Sequence, residues 1–431
     1  MRSAWPTRGE ALALAATVAC ICGMRWVHSA RMRSMLAGLW VATIIYVANR
    51  LVPPGIGMDF QTFVDGASLL FEGHQSPYLA RGTTAFPFPT FVLVRALTLG
   101  GALTLETTLW VFLTIQVILL ALSYVLVRRV IVQERLPSGP DLTQALIQGG
   151  LILHPAILLV LYYGQSSILA AASLIVAIWC WRCGNTRAWL HGAAIFLNLA
   201  WMIKPQLLMA AGFFLVRWLR DAKGVPLQDN RDAAIGRLVV PWCAALIALS
   251  LVGVFPGHGV AYQNFFHKAL SWHTVIAEIS PNNYAISAIM AKAGKTVLGF
   301  SVDQTLPVLT FSGALLIVLW GCLSLQRAKP DSLLAFTPWL LASLLWTSLV
   351  WRFYLSLVLA SLLLLVAYES VSAPSRFSLK TLWLATGIGL TYVLGSFAFT
   401  LGILILFFLS HELLVEETAA FHDDGNVEKA V

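Results

Sequence analysis

Apolar residues in this chain run in long unbroken stretches that end at charge or at Gly/Pro, instead of alternating with polar residues. Such stretches occupy about 34–52, 106–127, 145–163, 166–181, 188–203, 206–217, 238–255, 304–324, 332–349, 353–368 and 382–409, with a weaker one over 10–24. Runs of this kind predict helices that cross a bilayer. The alternating pattern of an outer-membrane barrel is missing, which leaves helices as the spanning element. Several runs fall short of the roughly 20 residues that a perpendicular helix needs, so some are expected to be broken or to line cavities that admit water. The expectation is an all-α polytopic membrane protein of about 11–13 spanning helices. Residues 1–410 would form one integral membrane domain, followed by a polar, acidic tail over 411–431 with Glu416, Glu417, Asp423, Asp424 and Glu428. Whether 382–409 spans once or folds as two shorter helices is open at this level.

The runs are separated by unequal connections. The longest on one side, 218–237, is too short for a nucleotide-binding domain. Neither G-x-G-x-x-G nor a Walker A sequence occurs. Two long segments on the other side, 53–105 and 256–303, are where chemistry is expected. In the first, Phe60, Phe63, Val64, Ala67, Leu70 and Phe71 recur at helical spacing, with Gln61, Asp65, Ser68 and Glu72 on the opposite face. This pattern predicts an amphipathic helix on the membrane surface, ended by Gly73. After Pro77-Tyr78, the run Phe86-Pro87-Phe88-Pro89 introduces a second short apolar helix over 90–99 in the interface.

Composition agrees with the membrane reading. Of 431 residues, 58% are hydrophobic and 11% charged, with a mean hydropathy of +0.79; a soluble surface needs roughly a quarter charged. Seventeen of the 28 Lys and Arg fall on one side of the threading, including Arg128, Arg129, Arg182, Arg187, Arg217, Arg231, Arg237 and Lys380. That side is cytoplasmic by the positive-inside rule, and the address that follows is the cytoplasmic membrane. The net charge of +8 points to anionic membrane lipid and not to nucleic acid, because no long basic run or soluble domain offers a binding face. Six cysteines lie in or beside apolar runs and read as small hydrophobes; Cys180-Trp-Arg-Cys183 has redox spacing without a redox context.

Isolated polar residues then mark the chemistry. Asp59 heads the surface helix, as its N-cap or as a general base. Lys204 interrupts apolar stretches beside Pro205, and Arg352 is similarly isolated between 340–350 and 353–365. Each is either a snorkelling cation or a phosphate ligand. Gln165 follows Tyr162-Tyr163-Gly164 as a turn residue or a substrate hydrogen-bonding group. Asp65 is a solvated position on the polar face, Arg81 lies in the first outer segment, and Trp272, Asn282, Asn283 and Tyr284 form a candidate sugar platform or ordinary loop packing. His154-Pro155 reads as a kink with a satisfied histidine. The spacing of His258, His267, His273 and Glu278 is too irregular for a metal site, so no metal is assigned.

One span, a long outer segment with two juxtamembrane helices, then another span resembles the first module of the GT-C glycosyltransferases. Asp59-Phe60, Ser76-Pro77-Tyr78, Phe86-Pro87-Phe88-Pro89, Tyr163-Gly164-Gln165, Lys204-Pro205-Gln206 and Trp351-Arg352-Phe353-Tyr354 together are similar to glycosyltransferase family 87. The resemblance covers roughly residues 35–370. The chain departs from the family where Phe88-Pro89-Thr90 replaces Tyr-Pro-Pro, and where Arg352 and Tyr354 stand in place of a histidine. The resemblance implies a membrane transferase that moves a hexosyl, by default mannosyl, group from a polyprenyl-phosphate-sugar donor to a glycolipid or glycan acceptor at the outer membrane face. It implies Asp59 as the base; the positive charge that a departing lipid phosphate needs assigns Lys204 and Arg352, from the chemistry of the residues, to the donor phosphate. Asp65, Tyr78, Arg81, Gln165, Asn282, Asn283 and Tyr354 are further candidates for substrate contact. The alternative class is a secondary transporter or lipid-linked-sugar flippase, which also uses broken helices and isolated charges.

Overall fold

A computed structural model describes residues 8–51, 56–72, 88–98, 102–134, 142–221, 230–252, 264, 283, 285–328, 332–347, 352–372, 378–393 and 396–428. All regular structure among them is helical. In chain order the helices are α1 (Arg8–Trp26), α2 (Ala30–Leu51), α3 (Met58–Phe71), α4 (Phe88–Leu97), α5 (Leu105–Gln133), α6 (Leu142–Ile152), α7 (Pro155–Tyr163), α8 (Ser167–Cys183), α9 (Arg187–Ile203), α10 (Leu208–Asp221), α11 (Arg231–Val252), α12 (Ile286–Leu298), α13 (Val302–Arg327), α14 (Leu333–Trp346), α15 (Leu359–Ser372), α16 (Leu379–Leu390) and α17 (Ser396–Glu428). Short 3-10 turns, Pro205–Leu207 and Arg352–Val358, lead into α10 and α15.

Among the described residues, four helical stretches are long and apolar enough to cross a membrane: Leu105–Gln133, Leu142–Tyr163, Val302–Leu325 and Phe397–Ala419. The chain is therefore a helical membrane protein. Only 33% of the apolar window of the first and 22% of that of the third are buried in the protein, so both stand at the periphery with apolar flanks turned outward. The shorter apolar helices behave differently. Most of α8 and almost all of Tyr354–Ser370 are buried on every side, as expected of helices without a polar face. Trp181 of α8 meets Phe214 of α10 at 5.0 Å and Phe336 of α14 at 5.9 Å in this core.

Local chemistry sets the helix ends. Pro155 breaks the 145–163 stretch into α6 and α7. His154 caps α7 by accepting from the Ala156 amide at 3.1 Å, and its Nε2 lies 3.0 Å from Thr391 Oγ1, so the kink with a satisfied histidine is what forms. The 382–409 stretch folds as two helices, α16 and α17, separated by a turn at 391–393. The expected acidic tail is instead the continuation of α17 to Glu428. Lys380 bonds Glu416, and Ser332 donates to Glu417 at 2.5 Å, so two of its carboxylates have partners within the bundle. The weak 10–24 segment lies within α1, which packs on α2 and α16 and buries Ala13, Cys20, Ile21 and Met24. All six cysteines are free thiols.

The amphipathic helix forms over α3 with its apolar stripe where the spacing puts it, ending at Phe71 with Glu72 as its C-cap. Its environment differs from the expected membrane surface. Phe60, Phe63, Ala67 and Leu70 pack with Phe91 and Val94 of α4 and Phe112 of α5, and Phe60 stacks on Phe112 at 4.9 Å. A β-carbon on Gly66 would stand 2.3 Å from the Phe91 ring, so glycine is what lets α4 approach. The stripe is thus covered by protein. Glu72, from the polar face, pairs with Arg95 of α4 at 2.5 Å.

Candidate functional site

Two glycine turns set the site. Gly57, the residue before α3, has φ 78°, and its amide donates to the Tyr162 carbonyl at 2.9 Å. Gly164, just after α7, has φ 67°. Both are left-handed conformations that side chains disfavour. The space is closed as well: a β-carbon at Gly164 would lie 2.7 Å from Phe60 Cβ, and one at Gly57 would lie 2.7 Å from Leu109 Cδ2. The start of α3 is thereby clamped against the α7–α8 turn, placing Asp59 beside Gln165.

The third segment is the break after α9. Pro205 excludes the helical conformation from Lys204, which is extended at φ −136° and ψ 99°. Its side chain turns into the protein at 3% exposure, and Nζ donates to Gln165 Oε1 at 3.0 Å. Gln165 Nε2 in turn donates to Asp59 Oδ2. The orientation of this amide follows from its neighbours, because an ammonium only donates and a carboxylate only accepts. Gln165, itself 3% exposed, therefore relays a cation to an anion. Tyr354, in the 3-10 turn before α15, places its ring 5.1 Å from Lys204 Nζ, a cation–π distance. Gln206 hydrogen-bonds the Tyr354 hydroxyl.

Burial pushes the Asp59 carboxyl above the usual carboxylate range, against the hydrogen bond from Gln165 and the charge of Lys204, which both pull it down. A carboxylate raised in this way is a stronger proton acceptor than an exposed one.

The structure thus brings together Asp59, Gln165, Lys204 and Tyr354. It does not bring in Asp65, which is exposed and accepts from Gln61 at 2.7 Å, the solvated position the sequence suggested. Nor does Asp59 cap α3: the helix begins at Met58 with Gly57 as N-cap, so the carboxylate sits inside the first turn and faces Gln165. Asn283 is buried, and its side chain accepts from the Ala285 amide at 3.2 Å, in a local turn before α12. Tyr78, Arg81, Trp272, Asn282, Tyr284, His258, His267, His273, Glu278 and the Arg352 side chain lie outside the described residues. Among the described residues no three His, Cys, Asp or Glu group as a metal site.

Sequence reasoning passed over Gln206, whose Oε1 is buried without a partner among the described residues, and Ser166, whose Oγ is in the same state. Both are neighbours of assigned residues in the Lys204-Pro205-Gln206 and Gly164-Gln165-Ser166 strings, and that adjacency was the available signal. Buried polar atoms of this kind ordinarily find a partner, so Gln206 Oε1 is left to accept a hydrogen bond and Ser166 Oγ to accept or donate one.

The chain matches no protein-family model, and a search of curated proteins finds no match either.

Proposed function

We propose that this protein is an integral membrane glycosyltransferase of the GT-C type that takes its sugar from a polyprenyl-phosphate carrier. The observation that carries the reading is the Lys204–Gln165–Asp59 relay, which sets a buried cation and a half-buried carboxylate in one cluster where three chain breaks meet. In the reaction, Asp59 takes the proton of the acceptor hydroxyl as that oxygen attacks the anomeric carbon. The bond from this carbon to the donor phosphate breaks, and the polyprenyl phosphate leaves as an anion paired with Lys204, joined by Arg352. No proton need reach the leaving group, because a phosphate is a stable anion. The hexosyl group, mannosyl by default, and the outer-face, cytoplasmic-membrane address belong to the same proposal.

The test is incubation of purified protein, with acceptor lipid extract, against a panel of polyprenyl-phosphate sugars, scored by release of polyprenyl phosphate. Turnover of one panel member is the expected result. Translocation of the intact donor without cleavage would instead establish the flippase class.

Replacing Lys204 by Ala is expected to weaken donor binding by about tenfold or more, the range of one charge-assisted contact. Donor affinity equal to wild type would remove the phosphate role. The Gln165→Leu variant makes a different prediction. Its hydrogen bond favours the charged carboxylate, so its loss raises the Asp59 pKa further. The base is active only when ionised, hence the acid limb of kcat/KM should move to higher pH. A limb that stays in place or moves down would separate Gln165 from the base.

A further inference from the structure

The second polar concentration lies at the far end of the same helical hairpin. Gln165 precedes the first residue of α8 and Lys204 follows the last of α9, whereas the α8–α9 turn sits at the other ends of both helices. At about 1.5 Å per residue, these 17-residue helices separate the two ends by roughly 25 Å. There, between the first turns of α9 and α11, lies a cavity of about 850 Å³. Its walls carry three guanidinium groups, Arg187, Arg231 and Arg237, with His191, Leu190 and Leu238. No carboxylate lines it among the described residues.

The charges come from two helix faces. Arg187, Leu190 and His191 share one face of α9 at spacings of three and four, and Arg231, Ala234 and Leu238 share one of α11. Arg231 is held in place by donating to the Cys180 carbonyl at 3.2 Å. His191 is oriented by Trp242, whose indole Nε1 donates to its Nδ1 at 3.0 Å. An indole only donates, so Nδ1 is the acceptor and Nε2 is the ring nitrogen left to donate. Asp232, next to Arg231 in the chain, pairs with Arg217, 3.3 Å away, with both side chains fully buried.

We propose that this cavity binds the phosphate headgroup of an anionic membrane phospholipid. Guanidinium forks match phosphate oxygens in pairs. The volume lies within the range of sites that enclose a whole small molecule and far exceeds a bare phosphate ion. Leu190, Ala234 and Leu238 give it an apolar wall, and Trp242 follows Leu238 at a spacing of four on the same face of α11, so an acyl chain has an apolar route along that face. Trp242, one turn further, suits the level where headgroups give way to chains. The site is independent of the transferase reading: it holds if that reading fails.

The test titrates full-length protein in neutral detergent with short-chain phosphatidylglycerol, short-chain phosphatidylcholine or inorganic phosphate, reading the midpoint of thermal unfolding and the apparent Kd. Arg187→Gln and Arg237→Gln are the variants, since both arginines are exposed and their loss leaves the helices intact. Phosphatidylglycerol should raise the midpoint of wild-type protein with saturation, and each variant should weaken its Kd about tenfold. Phosphatidylcholine and inorganic phosphate should do neither. Equal effects of both lipids, or variants with unchanged phosphatidylglycerol affinity, would overturn the proposal. So would inorganic phosphate matching phosphatidylglycerol in wild-type protein and losing its effect in the variants, which would make this a site for a soluble anion.

Discussion

Asp59→Asn is expected to lower the transfer rate by about 10²- to 10⁴-fold, the range supplied by a positioned proton acceptor. The substitution keeps the shape of the side chain and its place in the first turn of α3, so helix packing on α4 and α5 is retained. The amide oxygen can still accept from Gln165 Nε2, and Lys204 keeps its own bond to Gln165 Oε1. What is lost is the basicity, together with the negative charge that faces Lys204. The expected signature is a collapse of kcat with donor affinity and unfolding midpoint near wild type. Loss of donor binding in parallel with kcat would mean that the carboxylate organises Lys204 and does not act on the acceptor. Transfer at wild-type rate would remove Asp59 from the chemistry altogether, and with it the reading of the cluster as a transferase centre.

The parts of this cluster that were legible in the sequence are those where a polar residue is expensive. Lys204 between two apolar runs, and Gln165 at the tip of another, stand out because a membrane interior penalises them. The α3 stripe was legible because its period belongs to one helix. That the stripe packs on Phe91 and Phe112 was not, since an amphipathic face has the same pattern whether lipid or protein covers it. The glycine pair was also hidden: Gly57 and Gly164 look like ordinary loop glycines until Phe60 and Leu109 are seen where β-carbons would be. Charges paired over long separations were the least legible. Arg25 counts in the sequence as one more positive loop residue, whereas in the fold its partner Glu369 lies 344 residues away.

That pair carries the largest expected effect on stability. Glu369, with a side chain at 0% exposure, accepts from Arg25 Nη2 at 2.6 Å and from Thr381 Oγ1 at 2.5 Å, joining the ends of α1, α15 and α16. Arg25 Nη2 also reaches Ser370 Oγ at 2.5 Å, and its side chain is 7% exposed. Glu369→Ala leaves a guanidinium nearly buried without its counter-charge, a change that costs about 3–5 kcal/mol. The expected result is a lower unfolding midpoint and yield in detergent. Glu369→Gln should fall between Ala and wild type, because the amide oxygen can keep one of the two bonds while the charge is gone. The decisive comparison is Arg25→Met with Glu369→Leu. Removing both charges abolishes the burial penalty along with the attraction, so the double variant should be markedly more stable than Glu369→Ala. If it is instead as unstable as the sum of its parts, the helix ends are held by packing and the ion pair is incidental.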